Sequence, residues 1–462
     1  MNKYITLFLS LSFLGFINAQ ELETQPFFKY NKTIDSLMQI SSDRGIFNGN
    51  VLVTRNDSLV YQKSFGYTDG SGQTELTKKS IFSPGSIGKE FVAVSIMMLI
   101  EKGVLHLDDK LSKFDLGLPE WSEKVTIKHL LNYVSGLPQI DWDNVENEND
   151  YLEDLQALPS LLFEPGTDFN YNNNSIFLQK KIIENVTKKT FQEFMRENII
   201  TPLKMKNVVF DPNFDYPNRA RSFDIYKENA SEIYTSKGWL WVSIDDLNKW
   251  IMALNHNKLI SRKTLKLLLK NQYFENEHTI LGGSDDLFET HTHGGQSYQF
   301  ESIYISEFKD DLNIILMSNH KNQVPEIAHS VYDIMKDKAF TLPKKSIYRA
   351  IRQKCLENIN EGVKYYYALK ESDYDIYSFE NPNELNSLGY DLLSLKMMNQ
   401  SIEIFKLAVS EFPSDGNLYD SLGEAYYTNK QYELALLNYK KSLELNPKNT
   451  NAEEMINKIP KK

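Results

Sequence analysis

Ser86 and Lys89 stand three residues apart in Phe82-Ser83-Pro84-Gly85-Ser86-Ile87-Gly88-Lys89, a stretch that runs straight into an apolar run ending at Gly103. Residues at i and i+3 of a helix share a face, so a helix that starts near Ser86 sets the lysine amine beside the serine hydroxyl. That pairing has a chemical use, because a serine hydroxyl is a poor nucleophile at its own pKa and needs a neighbouring group to activate it. A helix N-terminus adds unpaired amides and the positive end of the macrodipole, both of which favour developing negative charge. Taken alone, the tetrapeptide reads equally well as an N-cap serine and a solvated lysine, since Ser-x-x-Lys recurs by chance in chains of this length. Two further stretches place polar groups at turns: Tyr171-Asn172-Asn173, shortly after Pro165-Gly166, and His293-Gly294-Gly295-Gln296. Such backbone-exposed turns often carry function.

The element that must hold Ser86 is the run 91–100. Phe91, Val92, Val94, Ile96, Met97, Met98, Leu99 and Ile100 fill nearly every side of it, which predicts a buried helix stopped by Gly103. Upstream, 47–54 and 58–67 predict two strands joined into a hairpin at Arg55-Asn56-Asp57. Downstream, a threonine-capped helix is expected over 125–131, broken by Ser135-Gly136-Leu137-Pro138, with further helices over 174–186, 191–200 and 244–254. A buried strand is expected at 239–243, an alternating one through Tyr298, Phe300, Ser302 and Tyr304, and another over 312–317. Strands at both ends of a helical stretch predict an α+β domain: an antiparallel sheet made from the first and last strands, flanked by helices, with a helical insertion.

The tail changes character. Gly389 and Gly423, Pro413 and Pro447, Phe405 and Tyr439, Ser401 and Ala435, Leu385 and Tyr419, and Ala408 and Ser442 are each 34 residues apart, and Leu388-Gly389 is matched by Leu422-Gly423. That period resembles two tetratricopeptide repeats, 382–415 and 416–449, in an all-α tail. A helix over 346–369 and a capping helix over 452–459 would supply the stacking partners that so short an array needs.

With 62 acidic against 51 basic side chains the 462-residue chain carries a formal charge of −11, which argues against binding nucleic acid through phosphate neutralisation. Residues 1–19, with Lys3, an apolar run over 5–17 and Asn18-Ala19, read as a cleavable secretory signal ending near Ala19, so the chain is expected to be secreted or periplasmic. No later run is long and apolar enough to span a bilayer. Cys355 is the single cysteine, which excludes an intrachain disulfide and a thiolate metal cluster. The expected division is a signal over 1–19, a catalytic body over 20–340, a helical connector over 341–381 and repeats with their capping helix over 382–459.

In their order along the chain, Ser86-Ile87-Gly88-Lys89, Tyr171-Asn172-Asn173 and His293-Gly294-Gly295 make residues 47–332 resemble the serine β-lactamase and penicillin-binding protein superfamily, on its class C and D-aminopeptidase or esterase side. Leu131-Asn132-Tyr133-Val134-Ser135-Gly136-Leu137-Pro138, Glu164-Pro165-Gly166, Pro202-Leu203-Lys204-Met205 and Ser243-Ile244-Asp245-Asp246-Leu247 keep the same family order. The resemblance implies Ser86 as nucleophile, with Lys89 and Tyr171 moving its proton. It implies that Asn173 meets a substrate amide and that Gly294 and Gly295 let a substrate backbone lie along an edge strand. The amides of Ser86 and Gln296 would form the oxyanion hole. His293 stands where lactam-handling relatives usually carry lysine; a histidine with a reference pKa of roughly 6.5 is mostly neutral at pH 7, so strong penicillin recognition is not expected. Gln299-Phe300 stands in place of a frequent Gly-Phe, and Lys204 in place of a common glycine. A metal reading of His291 and His293 lacks a third ligand at a regular spacing.

The function so implied is that of a serine hydrolase, working through an acyl-enzyme on an ester, amide or D-amino-acid peptide bond without a cofactor or metal. The alternatives are a true β-lactamase, or a non-catalytic penicillin-binding-like receptor or scaffold that works through its repeat tail. A small-molecule or peptide substrate, and a protein partner for the repeats, are the expected ligands.

Overall fold

The structure, a computed structural model, describes residues 27–459 except 142–144, 225, 233–238, 275–276, 278 and 287–288. The expected signal therefore lies outside the described residues. The chain divides into two compact units, one holding Phe47–Leu342 with the residues up to Asp43, the other Pro343–Lys462 with Arg44–Ile46.

The first unit is built on two antiparallel sheets. Its strands are β1 (Gly49–Arg55), β2 (Ser58–Phe65), β3 (Ile81–Phe82), β4 (Val208–Phe210), β5 (Leu240–Ser243), β6 (Gly283–Asp286), β7 (Thr290–Ser297), β8 (Phe300–Glu307) and β9 (Leu312–Ser318). The large sheet runs β2-β1-β9-β8-β7-β6, so the early hairpin meets the late strands at its centre, with Val51 opposite Leu316 and Val53 opposite Ile314. Asn56 and Asp57 both lie in the left-handed region, φ 50° and 58°, and make the two-residue turn that suits the twist of a hairpin. The expected strand at 239–243 belongs to a separate small sheet, β3-β5-β4. Its partner β3 leads directly into the turn that carries Ser86.

Helix Gly88–Glu101 is buried over all its residues but the last two, as its all-round apolar composition requires, and Phe91 stacks on Trp250 with ring centroids 3.8 Å apart. A single turn of 3₁₀ helix, Gly85–Ile87, precedes it, so Ser86 sits in the tighter lead-in and not in the α-helix proper. Thr126 caps helix Ile127–Leu131 reciprocally: its hydroxyl accepts from the His129 amide at 3.3 Å, and its own amide donates to His129 Nδ1 at 3.1 Å. The expected helix over 191–200 is α-helical only over Phe191–Met195 and closes with a π-helical turn, Arg196–Ile200.

The second unit is all helix: Ile347–Glu357, Ile359–Ser372, Pro382–Ser394, Met398–Glu411, Gly416–Thr428, Tyr432–Leu445 and Thr450–Lys458. The single helix expected over 346–369 is two helices. Asn358 leaves the helical region and its side chain caps the next helix by accepting from the amides of Asn360 and Glu361. Gly362 then comes so close to Cys355 that a Cβ there would lie 2.3 Å from the thiol sulfur. Cys355 is fully buried, and burial pushes its thiol up to about 11. The 34-residue repeat has a packing cause. A Cβ on Gly389 would lie 2.4 Å from the Phe405 ring, and one on Gly423 2.9 Å from the Tyr439 ring, so in each repeat glycine makes room for the aromatic ring of the following helix. No helix among the described residues is long and apolar enough to cross a membrane.

Candidate active site

Ser86 is fixed by backbone on one side and by two donors on the other. Gly85 has φ +58°, and a Cβ there would come within 2.4 Å of the Gln296 amide nitrogen. A Cβ on Gly295 would lie 2.0 Å from the Pro84 carbonyl and 2.8 Å from the Ser86 amide nitrogen. These two glycines let the serine turn and strand β7 meet backbone to backbone, which brings the amides of Ser86 and Gln296 to one place. On the other side, Lys89 Nζ donates to Ser86 Oγ at 2.8 Å and Tyr171 Oη donates to it at 2.9 Å. Lys89 is buried, and its amine lies 5.0 Å from the centre of the Tyr171 ring. The sequence-predicted Ser86, Lys89, Tyr171, Gly295 and Gln296 thus converge on one site, with Gly294 next to Gly295 in β7.

Tyr171 is held by the segment before it. Tyr133 adopts a left-handed conformation, φ 57°, unusual for a bulky residue and worth roughly 1–3 kcal/mol of strain. The strained turn accepts two backbone hydrogen bonds from the Tyr171 loop: the Asn170 amide donates to the Tyr133 carbonyl at 2.9 Å and the Gly166 amide to the Val134 carbonyl at 2.8 Å. The Tyr133 ring packs 4.5 Å from that of Tyr171. Gln139 Nε2 donates to the Tyr171 carbonyl, and Asn172 caps helix Asn173–Thr187 by accepting from the Ser175 amide at 2.7 Å. Asn173 opens that helix. Its Oδ1 is buried, and nothing among the described residues donates to it.

Strand β7 presents its glycines at a free edge. β6 pairs with it only as far as Thr292, so among the described residues no strand covers the outer edge of residues 293–297. Tyr298 and Gln299 form the two-residue β7–β8 turn; its left-handed residue is Tyr298, at φ +54°, and not Gln299, which stands at the position of the frequent glycine. The Gln296 side chain turns to Glu301, donating to its Oε1 at 2.8 Å, while its backbone amide faces the serine turn.

His293 is placed differently from a solvent-facing histidine. Its Nδ1 lies 2.5 Å from Oε1 of Glu90, a carboxylate with no exposed side-chain surface. Tyr304 Oη donates to the same oxygen at 2.5 Å and Trp250 Nε1 to the other at 2.9 Å, while His291 Nε2 lies 3.8 Å away. Burial alone would raise the Glu90 carboxyl, but the hydrogen bond and charge of His293, helped by His291 and Tyr304, hold it below the ordinary carboxylate value. Burial pushes His291 down and the Tyr304 hydroxyl well up. Glu90, Trp250 and Tyr304 are residues the sequence did not single out as functional; the available signal was an acidic side chain beside Lys89 at the head of a largely apolar helix. Both histidine rings are engaged in this network. Among the described residues, the three groups that come within reach of one cation are elsewhere, at Asp57, His256 and Asp311.

The Beta-lactamase family model matches residues 30–324, well over half of the chain. The chain belongs to the beta-lactamase family. A tetratricopeptide repeat matches residues 416–449, the second of the two repeats. Among beta-lactamase relatives, the protein flp of Staphylococcus aureus (strain MW2) is 25% identical over 319 residues, 64% of each chain. Penicillin-binding protein 4* of Bacillus subtilis (strain 168) is 32% identical over 183 residues, which are 38% of this chain and 40% of that protein. The chain thus spans less than two thirds of the length of either relative. Solved structures share the beta-lactamase fold. FmtA from S. aureus superimposes with a TM-score of 0.58 at 22% identity, covering 67% of this chain and 87% of its own. A class C beta-lactamase gives 0.59 at 17%, covering 68% and 97%. The D-amino acid amidase of Ochrobactrum anthropi gives 0.54 at 20%, covering 67% and 99%.

Proposed function

We propose that this beta-lactamase family member is a serine hydrolase that cleaves an ester, amide or D-amino-acid peptide bond through an acyl-enzyme at Ser86. The observation that carries the reading is Ser86 Oγ, held at once by Lys89 Nζ at 2.8 Å and Tyr171 Oη at 2.9 Å. Tyr171, as phenolate or sharing a proton with Lys89, takes the Ser86 proton as Oγ attacks the substrate carbonyl. The amides of Ser86 and Gln296 receive the negative charge on the carbonyl oxygen. Tyr171 returns the proton to the departing oxygen or nitrogen, the C–O or C–N bond breaks, and an ester to Ser86 remains. A water then attacks that ester and gives its proton to the same pair; the bond between the acyl carbon and Ser86 Oγ breaks, the pair returns the proton to Oγ, and the acid leaves. The Asn173 side-chain amide meets a substrate amide, and the edge at Gly294 and Gly295 runs along the substrate backbone. His293 lies at the end of that edge. The reading of residues 1–19 as a secretory signal supports export, and the repeat helices support binding of a protein partner.

Mass spectrometry after incubation with a panel of esters, D-amino-acid amides and β-lactams tests the reading. A transient acyl mass on the peptide containing Ser86 is expected with at least one ester or amide, with release of product. A stable adduct without turnover would instead favour a binding protein.

A further inference from the structure

The chemistry at Ser86 leaves unused a buried charge directly beside Lys89. Glu90 follows Lys89 directly, on the helix that carries the site, yet its carboxylate turns away from Ser86 to receive Trp250 Nε1, Tyr304 Oη and His293 Nδ1. His293 lies on the same strand as Gly295, two residues or roughly 7 Å away by strand geometry, and Gly295 abuts Ser86. The His293 ring, about nine-tenths buried against Glu90, thus lies on the same face of β7 as Gly295 and beside the edge along which a substrate is proposed to run. If the ring is protonated, Glu90 cancels its charge at 2.5 Å; if it is neutral, the pair carries one negative charge. In neither state does the His293–Glu90 pair offer net positive charge.

We propose that Glu90 is a specificity-determining residue: by holding His293 through Nδ1 and cancelling its charge, it sets the site against substrates with a carboxylate near the scissile bond and in favour of neutral esters and amides. This rests on the serine-hydrolase reading of Ser86 and narrows its substrate class. The groups that face the Glu90 carboxylate come from every element packed on it. Lys89 neighbours it on its own helix, His291 and His293 come from β7, Tyr304 from β8, and Trp250 from helix Ile244–Asn255; Arg262 adds its charge at His291. The sequence comparison of histidine with lysine at position 293 is therefore incomplete by one residue. A lysine placed there alone would be paired by Glu90, and positive charge would reach the substrate only when Glu90 is also neutralised.

The test is a cycle of four proteins, wild type, Glu90→Gln, His293→Lys and the double variant, each assayed with a neutral p-nitrophenyl ester and its carboxylate-bearing analogue. The quantity read is the carboxylate-to-neutral ratio of kcat/KM. His293→Lys alone should move it by no more than about twofold, and the double variant should raise it by about tenfold or more. A full gain in His293→Lys alone, or a ratio within about twofold of wild type in the folded double variant, overturns the proposal. The Gln amide would face the Trp250 N–H, so Trp250→Phe is added to both Gln variants if their melting temperatures fall. The wild type supplies a reading that needs no variant: its ratio should stay flat or rise as salt is increased, and a falling ratio would reveal a net positive site and overturn the proposal. A fluorophosphonate that labels Ser86 separates the two levels. Labelling with an unresponsive ratio overturns the role of Glu90 alone, whereas absence of both labelling and hydrolysis overturns the hydrolase reading and this proposal with it.

Discussion

At the scale of single residues, the Ser86 hydroxyl receives two hydrogen bonds from groups that each act on the other, since the Lys89 amine lies 5.0 Å from the Tyr171 ring. Groups that act as a unit are not additive. Ser86→Ala should abolish turnover and leave the melting temperature within a few degrees, because the hydroxyl sits in a half-buried turn and packs little. Lys89→Ala and Tyr171→Phe should each lose about two orders of magnitude or more in kcat, and the double variant little beyond the worse single one. A silent single variant would remove that residue from proton transfer. The Glu90 cluster gives a separate, pH-dependent signature in stability. His291 is lowered by burial from 6.5, so the unfolded chain binds its proton more tightly, and this contribution, complete above 6.5, is lost as pH falls toward the folded value. Glu90 is lowered from 4.5, so its contribution, present above 4.5, is lost further down. The melting temperature should therefore fall in two steps as pH goes from 7 to below 4, and Glu90→Gln should flatten the lower step. A scan by differential calorimetry that showed no acid limb above pH 4 would contradict the assignment of a neutral, buried His291.

At the scale of elements, the site is a meeting of three pieces whose backbones touch. Gly295→Ala would drive a methyl group into the Pro84 carbonyl, so it should cost two or more orders of magnitude in kcat/KM while circular dichroism stays unchanged. Retained activity would mean that the serine turn and β7 can separate without harm. The sequence shows these pieces because each is local. An apolar run dictates a buried helix, paired glycines permit close approach, and Thr126 three residues before His129 caps a turn. The 34-residue spacing of Gly389 and Gly423 was legible for the same reason, each being tied to an aromatic ring sixteen residues on. What the sequence hides is meaning that depends on distance. Glu90 takes its role from partners 160, 203 and 214 residues away, and read locally it is one acid at a helix start. The break at Asn358 was hidden for the opposite reason: apolar residues continue through it, and only the side chain's capping of its own downstream amides stops the helix. Lys204, noted in the sequence where glycine is common, proves to be left-handed at φ 54°, the conformation for which glycine is preferred.

At the scale of the whole molecule, the chain holds two units with separate interiors. The core around helix Gly88–Glu101 draws on residues between Leu52 and Met317, and that of the helical unit on residues from Ile347 onward. A chain ending at Leu342 should therefore fold and hydrolyse the neutral ester at a rate within about threefold of the full chain, as expected for a domain with its own core. An unfolded product would show that the helical unit braces the other. The separation also gives a use to the sulfur packed beneath Gly362. In a chain of 462 residues with one thiol, fully buried and with its pKa pushed up to about 11, alkylation under native conditions has to wait for the surrounding helices to open. The labelling rate of Cys355 is thus a built-in clock for breathing of the helical unit, while ester hydrolysis times the other unit. A partner that settles on the repeats should slow the first clock and leave the second running.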